Sequence, residues 1–102
     1  MKLSILIPVY NEEKTIIDVL KRVKKTKADD IDYEIIVIND GSTDGTKKLL
    51  QENNTLYNSL INNSRNSGKG FSVKQGLKIS TGEYIIFQDA DLEYDPIEFK
   101  KF

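Results

Sequence analysis

Three apolar runs and a fourth, weaker one alternate along the chain with stretches whose apolar residues recur at helical spacing. Leu3-Ser4-Ile5-Leu6-Ile7 is rich in β-branched residues and predicts a buried strand closed by Pro8. From Glu12 to Lys25, Ile16, Ile17, Leu20 and Val23 share one face of a predicted helix whose other face is charged. Asn11 is the expected N-cap, with Lys14 where a capping-box acid would stand. Tyr33-Glu34-Ile35-Ile36-Val37-Ile38 predicts a second buried strand, followed by the turn cluster Asp40-Gly41-Ser42-Thr43-Asp44-Gly45 and a helix reaching about Glu52. Ser59 to Asn62 is the weaker strand. Gly68-Lys69-Gly70 opens a helix with Val73 and Leu77 on one face, and Thr81-Gly82 turns into the strand Tyr84-Ile85-Ile86-Phe87. Continuous apolar strands separated by helices imply parallel βαβ units covered on both faces, with right-handed crossovers. The expected fold class is therefore α/β, a mostly parallel sheet flanked by helices.

Asp95-Pro96-Ile97-Glu98-Phe99 reads as another helix start, with Pro96 at its first position. Ile97, Phe99 and Phe102 have little to pack against so close to the last residue. Residues 1–102 are accordingly expected to be the N-terminal part of a longer protein.

At 102 residues the chain has the size of one domain. It contains no His and no Cys. That excludes an imidazole base, a Ser-His-Asp triad, a thiol nucleophile, a disulfide framework and Cys-ligated zinc. Any catalysis or metal binding must use carboxylates, hydroxyls, amides or lysine. The formal net charge of −1 argues against nucleic acid as a partner. The longest N-terminal apolar run, Leu3 to Val9, is far shorter than the ~20 residues of a membrane span and lacks a cleavage pattern. A cytoplasmic location is expected, with membrane association open for a full-length parent.

In parallel sheets, ligands bind beyond the carboxyl ends of the strands, where strand order switches. Each conspicuous polar cluster here follows a strand: Pro8 to Glu13, Asn39 to Ser42, and Gln88-Asp89-Ala90-Asp91. Asp89 and Asp91, one residue apart after a buried strand, suit a hard cation such as Mg²⁺ or Mn²⁺ that completes its shell with water and phosphate. The competing role is an acidic turn in which Asp91 or Asp95 caps the next helix. Asp40 can accept a hydrogen bond from a nucleobase or a sugar hydroxyl, or simply form a turn. Tyr10 can stack on a base, offer its hydroxyl, or be an ordinary rim aromatic. Glu12 and Glu13 also suit a helix N-terminus for their charge alone. Lys69, beside two glycines at a helix start, can meet a diphosphate or stand solvated, and Arg65 likewise.

Three other motifs fail. The EF-hand-like start at Asp40 has Gln51 where a bidentate Glu is required, and a strand where a helix should precede it. Gly68-Lys69-Gly70 lacks the first Gly and the final Ser or Thr of a phosphate loop. No G-x-G-x-x-G follows the first strand.

Taken together, Leu3 to Glu13, Asn39-Asp40-Gly41-Ser42-Thr43-Asp44-Gly45-Thr46 and Gln88-Asp89-Ala90-Asp91-Leu92-Glu93 resemble family 2 glycosyltransferases. The branch of dolichol-phosphate mannosyltransferase and related polyprenyl-phosphate sugar transferases is the nearest in pattern. Arg65 to Gly70 and Thr81 to Tyr84 resemble the same branch, in the same order. The resemblance implies a GT-A fold in which this chain supplies the nucleotide-sugar-binding half. By position, Pro8, Tyr10 and Glu12 would border the nucleoside and Asp40 would hold the base. Asp89 would lie near the ribose or metal, and Asp91 would coordinate Mg²⁺ or Mn²⁺ on the diphosphate. Such enzymes invert the anomeric centre with a carboxylate base, here expected beyond residue 102. Asn39 stands where many relatives carry Asp.

The expected function is thus part of an inverting, metal-dependent glycosyltransferase that binds a UDP- or GDP-sugar. The expected acceptor is a lipid phosphate or other hydroxyl, such as a glycan's. The alternative is a non-catalytic nucleotide-binding or assembly module, with a second copy of the chain covering an open sheet edge.

Overall fold

The computed structural model describes residues 1–91. The helix start read at Asp95 to Phe99 lies outside them. In chain order the elements are β1 (Lys2–Val9), α1 (Ile16–Lys25), β2 (Asp32–Asp40), α2 (Thr46–Glu52), a single 3-10 turn (Asn54–Leu56), β3 (Ser59–Asn63), α3 (Lys69–Ile79) and β4 (Tyr84–Phe87). The four strands are all parallel and lie in the order β3-β2-β1-β4. The chain steps outward from β1 to β3 and then returns through α3 to the other side of β1. Strand order therefore switches between β1 and β4.

Alternation along β1 sends its side chains to two different layers. Leu3, Ile5, Ile7 and Val9 join Ile35 and Val37 of β2 against Ile16, Val19, Leu20 and Val23 of α1 and Leu50 of α2. Leu6, Ile36 and Ile38 form the second, smaller layer beneath α3, with Ile61 and Ile85 at its margin. Each fully buried aliphatic side chain of this kind contributes about 1.5–3 kcal/mol. The parallel α/β expectation is met.

Three local expectations need correction. Helix α1 begins at Ile16, four residues later than a cap at Asn11 would place it. Asn11 takes the left-handed conformation instead (φ 52°). Its Oδ1 accepts the Thr43 N–H at 2.7 Å, so it serves the neighbouring loop and not its own helix. Strand β1 also continues through Pro8 to Val9. The Leu6 carbonyl accepts the Gln88 N–H on the β4 side, so Pro8, two residues on, would direct its missing N–H the same way. The β4 ladder has already ended opposite Leu6, and no donor is needed there.

The third correction concerns α3. It meets the sheet through Ser72 and Gly76, while Leu77 is 42% exposed. A Cβ at Gly76 would lie 2.8 Å from Leu6 Cδ2 and 3.0 Å from Ile38 Cδ1. Small residues bring the helix backbone onto the second layer and turn Leu77 outward. Phe71 and Ile79 of α3, and Tyr84 and Phe87 of the edge strand β4, are also exposed.

Gly76→Val is expected to destabilise the fold by about 1–3 kcal/mol through overpacking against Leu6 and Ile38. Urea denaturation of the variant and its parent checks this.

Candidate functional site

The loops after β1, β2 and β4 meet the start of α3 at the carboxyl edge of the sheet. Residues from all four line one open cavity of about 250 Å³: Pro8, Val9, Tyr10, Glu12, Asp40, Asn66, Lys69, Ser72, Asp89, Ala90 and Asp91. It sits at the β1–β4 switch in strand order.

The β1 and β2 loops hold each other through local polar contacts. Asn11 N–H donates to Ser42 Oγ at 2.9 Å, and Glu12 N–H donates to Thr46 Oγ1 at 3.1 Å. Glu13 Oε2 accepts the Gly45 N–H at 2.9 Å. Asp44 Oδ1 takes the Thr46 N–H and hydroxyl at 2.9 and 2.6 Å. These contacts give Glu13 and Asp44 roles in loop geometry. Gly41 has φ +73°, and a Cβ there would lie 2.2 Å from the Arg65 carbonyl carbon. Only glycine lets the β2 loop and the 65–66 backbone pack so closely.

Strand register then sets two polar pairs side by side: Asn39 opposite Asn62, and Asp40 opposite Asn63. Buried Asn39 donates to Asn62 Oδ1 at 3.0 Å and accepts the Ser42 N–H. Buried Asp40 accepts Asn63 Nδ2 at 3.0 Å and Ser67 N–H at 2.9 Å on Oδ1, and Gly68 N–H at 2.8 Å on Oδ2. Burial alone would raise the Asp40 pKa, but these donors outweigh it and hold the carboxyl below its ordinary value. The hydroxyl of Ser72, buried beside the carboxylate, adds to that effect.

On the β4 side, Ala90 is buried between the two acidic residues. Its carbonyl accepts the Thr15 hydroxyl at 2.9 Å, which fastens the acidic segment to the start of α1. Thr15 Oγ1 also donates to Glu12 Oε2 at 3.2 Å. Asp89 and Asp91 both line the cavity on either side of that anchor. Lys69, the first residue of α3, places Nζ 2.7 Å from Asp89 Oδ1. Both members of that pair are partly exposed, so its contribution to stability is small.

The structure thus gathers Pro8, Tyr10, Glu12, Asp40, Lys69, Asp89 and Asp91 around one cavity. Arg65 is not among the lining residues; its backbone packs on Gly41. Asn66 and Ser72 line the cavity without having been singled out from the sequence. The available signal for Ser72 was the four-residue spacing Gly68, Ser72, Gly76, which marks the close face of α3. Among the described residues no three acidic side chains converge as a metal cage. Two hard carboxylates opening on a cavity nevertheless fit a Mg²⁺ or Mn²⁺ ion that takes its other ligands from water and phosphate.

The profile of the family described as Glycosyl transferase family 2 matches residues 4–102. The chain belongs to this family. It is 35% identical over 106 residues to the undecaprenyl-phosphate 4-deoxy-4-formamido-L-arabinose transferase of Proteus mirabilis, an alignment covering 98% of this chain and 32% of that protein. The chain therefore spans about a third of that relative's length. Among solved structures, S. aureus TarS 1-349 in complex with UDP-GlcNAc superposes with a TM-score of 0.80 at 31% identity, over 99% of this chain and 29% of that one. The mannosyltransferase PcManGT from Pyrobaculum calidifontis, in complex with GDP-Man and Mn²⁺, superposes at 0.74 over 94% of this chain and 29% of that one. Its 24% identity shows a shared fold. The family 2 resemblance and the GT-A nucleotide-binding architecture are both confirmed.

Hydrogen bonds also outweigh burial at Asp44 and at Glu34, whose pKa values lie below the ordinary range. With Asp40, all three carboxylates contribute stability that is present above their unfolded-state values and lost as pH falls through the lower folded ones. The melting temperature is expected to stay level from neutral pH down to about pH 5 and to fall below about pH 4. Scanning calorimetry across that range checks the sign.

Proposed function

We propose that this family 2 chain forms the nucleotide-sugar-binding part of a glycosyltransferase and binds the diphosphate of a UDP- or GDP-sugar. The observation that carries this reading is the cavity at the strand-order switch, lined by Asp89 and Asp91 of the segment after β4 and by Lys69 at the start of α3. Pro8, Tyr10 and Glu12 border the nucleoside, and Asp40 faces the base. Asp89 and Asp91 hold a Mg²⁺ or Mn²⁺ ion, with Asp89 also near the ribose. When bound, the cation supplies neutralisation of the charge that builds on the leaving diphosphate.

Lys69 supplies a positive charge at the cavity wall. It neutralises Asp89 in the structure described here, and a short rotation of its flexible stem brings Nζ toward an incoming phosphate. The N-terminus of α3 adds backbone N–H groups and the positive end of its dipole on the same side. No deprotonating base is assigned to the described residues. Inverting transfer requires a carboxylate that removes the acceptor's proton, and we assign it to a segment beyond residue 102. The undecaprenyl-phosphate in the name of the Proteus mirabilis relative supports a lipid phosphate as the acceptor class. Among the described residues no helix is long and apolar enough to cross a membrane.

Asp91→Asn is expected to weaken Mn²⁺-dependent binding of nucleoside diphosphate by about tenfold or more, with the melting temperature nearly unchanged. Calorimetric titration of UDP and GDP, with and without Mn²⁺, measures it. Equal affinity of variant and parent in the presence of Mn²⁺ overturns the cation assignment.

A further inference from the structure

We infer that the outer face of the α1–α2 layer docks on an anionic phospholipid bilayer and is held there by positive charge. The inference is independent of the nucleotide reading above, because that face lies away from the cavity.

Positive charge is segregated on this chain. Residues 14–27 carry Lys14, Lys21, Arg22, Lys24, Lys25 and Lys27 against one acid, Asp18, although the net charge of the whole chain is −1. Helix α2 packs on the same core layer and adds Lys47 and Lys48 against Glu52. All of these basic residues are exposed. The nearest other acids stand at the two ends of the layer. Asp29, Asp30 and Asp32 follow α1 at the amino edge of the sheet, and Glu12 and Glu13 precede it at the carboxyl edge.

Helix geometry turns part of this charge outward. Ile16, Val19, Leu20 and Val23 are the buried face of α1, so Lys21 and Lys25, one turn apart, stand on the opposite side. The electrostatics of the fold do not account for the pattern. The dipole of α1 favours Lys24 and Lys25 in its last turn. Lys14, however, precedes α1, and Lys47 and Lys48 open α2, where the dipole opposes positive charge and the first turn holds no acid. Lys21 and Lys25 also repel each other at four-residue spacing. Among the described residues none of these basic side chains forms an ion pair, and Lys24 donates to the Thr55 carbonyl at 2.8 Å. A cationic layer left without internal partners is matched by an external anion.

The chemistry of the face selects that anion. No large apolar side chain is exposed on α1 or α2, so nothing enters the acyl chains and the attraction is to headgroups. Apart from Arg22 the charges are lysines, compact point charges suited to a diffuse field of lipid phosphates. Nucleic acid would be met by guanidinium forks and by aromatics that stack on bases, and the two helices expose no aromatic. An anionic leaflet rewards each lysine near its surface with about fivefold in affinity. The cavity opens at the carboxyl edge of the sheet, off this face, and stays accessible when the face is docked.

The test is sedimentation of the 102-residue chain with vesicles. One set contains phosphatidylglycerol and phosphatidylcholine in equal parts, the other phosphatidylcholine alone. The chain is expected to bind the first set at ~0.1 M salt, to leave it at ~0.5 M salt, and to ignore the second set. The double variant Lys21→Gln, Lys25→Gln is expected to bind at least about tenfold more weakly, with its melting temperature kept. Lys74→Gln, Lys78→Gln removes an equally exposed pair at the same spacing from α3, on the other side of the sheet, and is expected to stay within about twofold of the parent. Failure of the parent to bind the anionic vesicles overturns the inference. Equal losses from the two double variants show that net charge acts without regard to face, and overturn it too. Binding that survives high salt, or that is equal on phosphatidylcholine, overturns the electrostatic basis. Tighter binding to a DNA duplex or to polyglutamate than to the anionic vesicles, at the same salt, overturns the lipid assignment. The parent's own comparisons need no variant.

Discussion

The Asp40 carboxylate joins three pieces of chain at the carboxyl edge of the sheet. It sits at the end of β2, accepts a side-chain amide from the end of β3, and accepts two successive backbone N–H groups that lead into α3. A buried anion is stable only when donors surround it, and here the donors come from the next strand and the next helix. The position of α3 over the sheet, and so of Lys69 and Ser72 beside the cavity, depends on this contact. Gly41 makes it possible by letting the 65–66 backbone approach within contact distance.

A second polar cluster does the corresponding work at the other end of the sheet. Glu34 accepts the Ser4 hydroxyl at 2.6 Å and the Thr81 N–H and hydroxyl at 2.8 and 2.9 Å, and Ser4 accepts the Gly82 N–H at 2.8 Å. That ties the turn before β4 to β1 and β2. With the turn held, β4 enters in register beside β1 and delivers Asp89 and Asp91 to the carboxyl edge. Lys2 adds a longer, exposed ion pair to Glu34 that matters little beside the hydrogen bonds. Both clusters place hydrogen bonds at sheet ends, and the middle of the sheet is left to aliphatic packing.

The site divides into residues legible in the sequence and residues that were not. Acidic and aromatic positions after strands were legible because a parallel sheet sends every strand's carboxyl end to one edge. Asp89, Asp91, Asp40, Tyr10 and Lys69 follow from that rule once the strands are recognised. Ser72 was not legible. A serine three residues into a helix resembles any other until the helix is docked, and its value comes from what it faces. The same holds for Asn11, whose composition suits a helix cap but whose side chain serves the Thr43–Asp44 backbone thirty residues away.

Strand and helix order, the parallel sheet and the exclusion of imidazole and thiol chemistry were all determined by the sequence alone. Hydrophobic periodicity and residue types act locally and need no knowledge of neighbours. Family membership was also carried by local motifs in a fixed order. Tertiary structure alone decided where α1 begins, why Pro8 sits inside a strand, and which face of α3 meets the sheet. It also decided which donors surround Asp40. Each of these depends on hydrogen bonds and close contacts between segments far apart in the chain, and such contacts exist only after the backbone has folded.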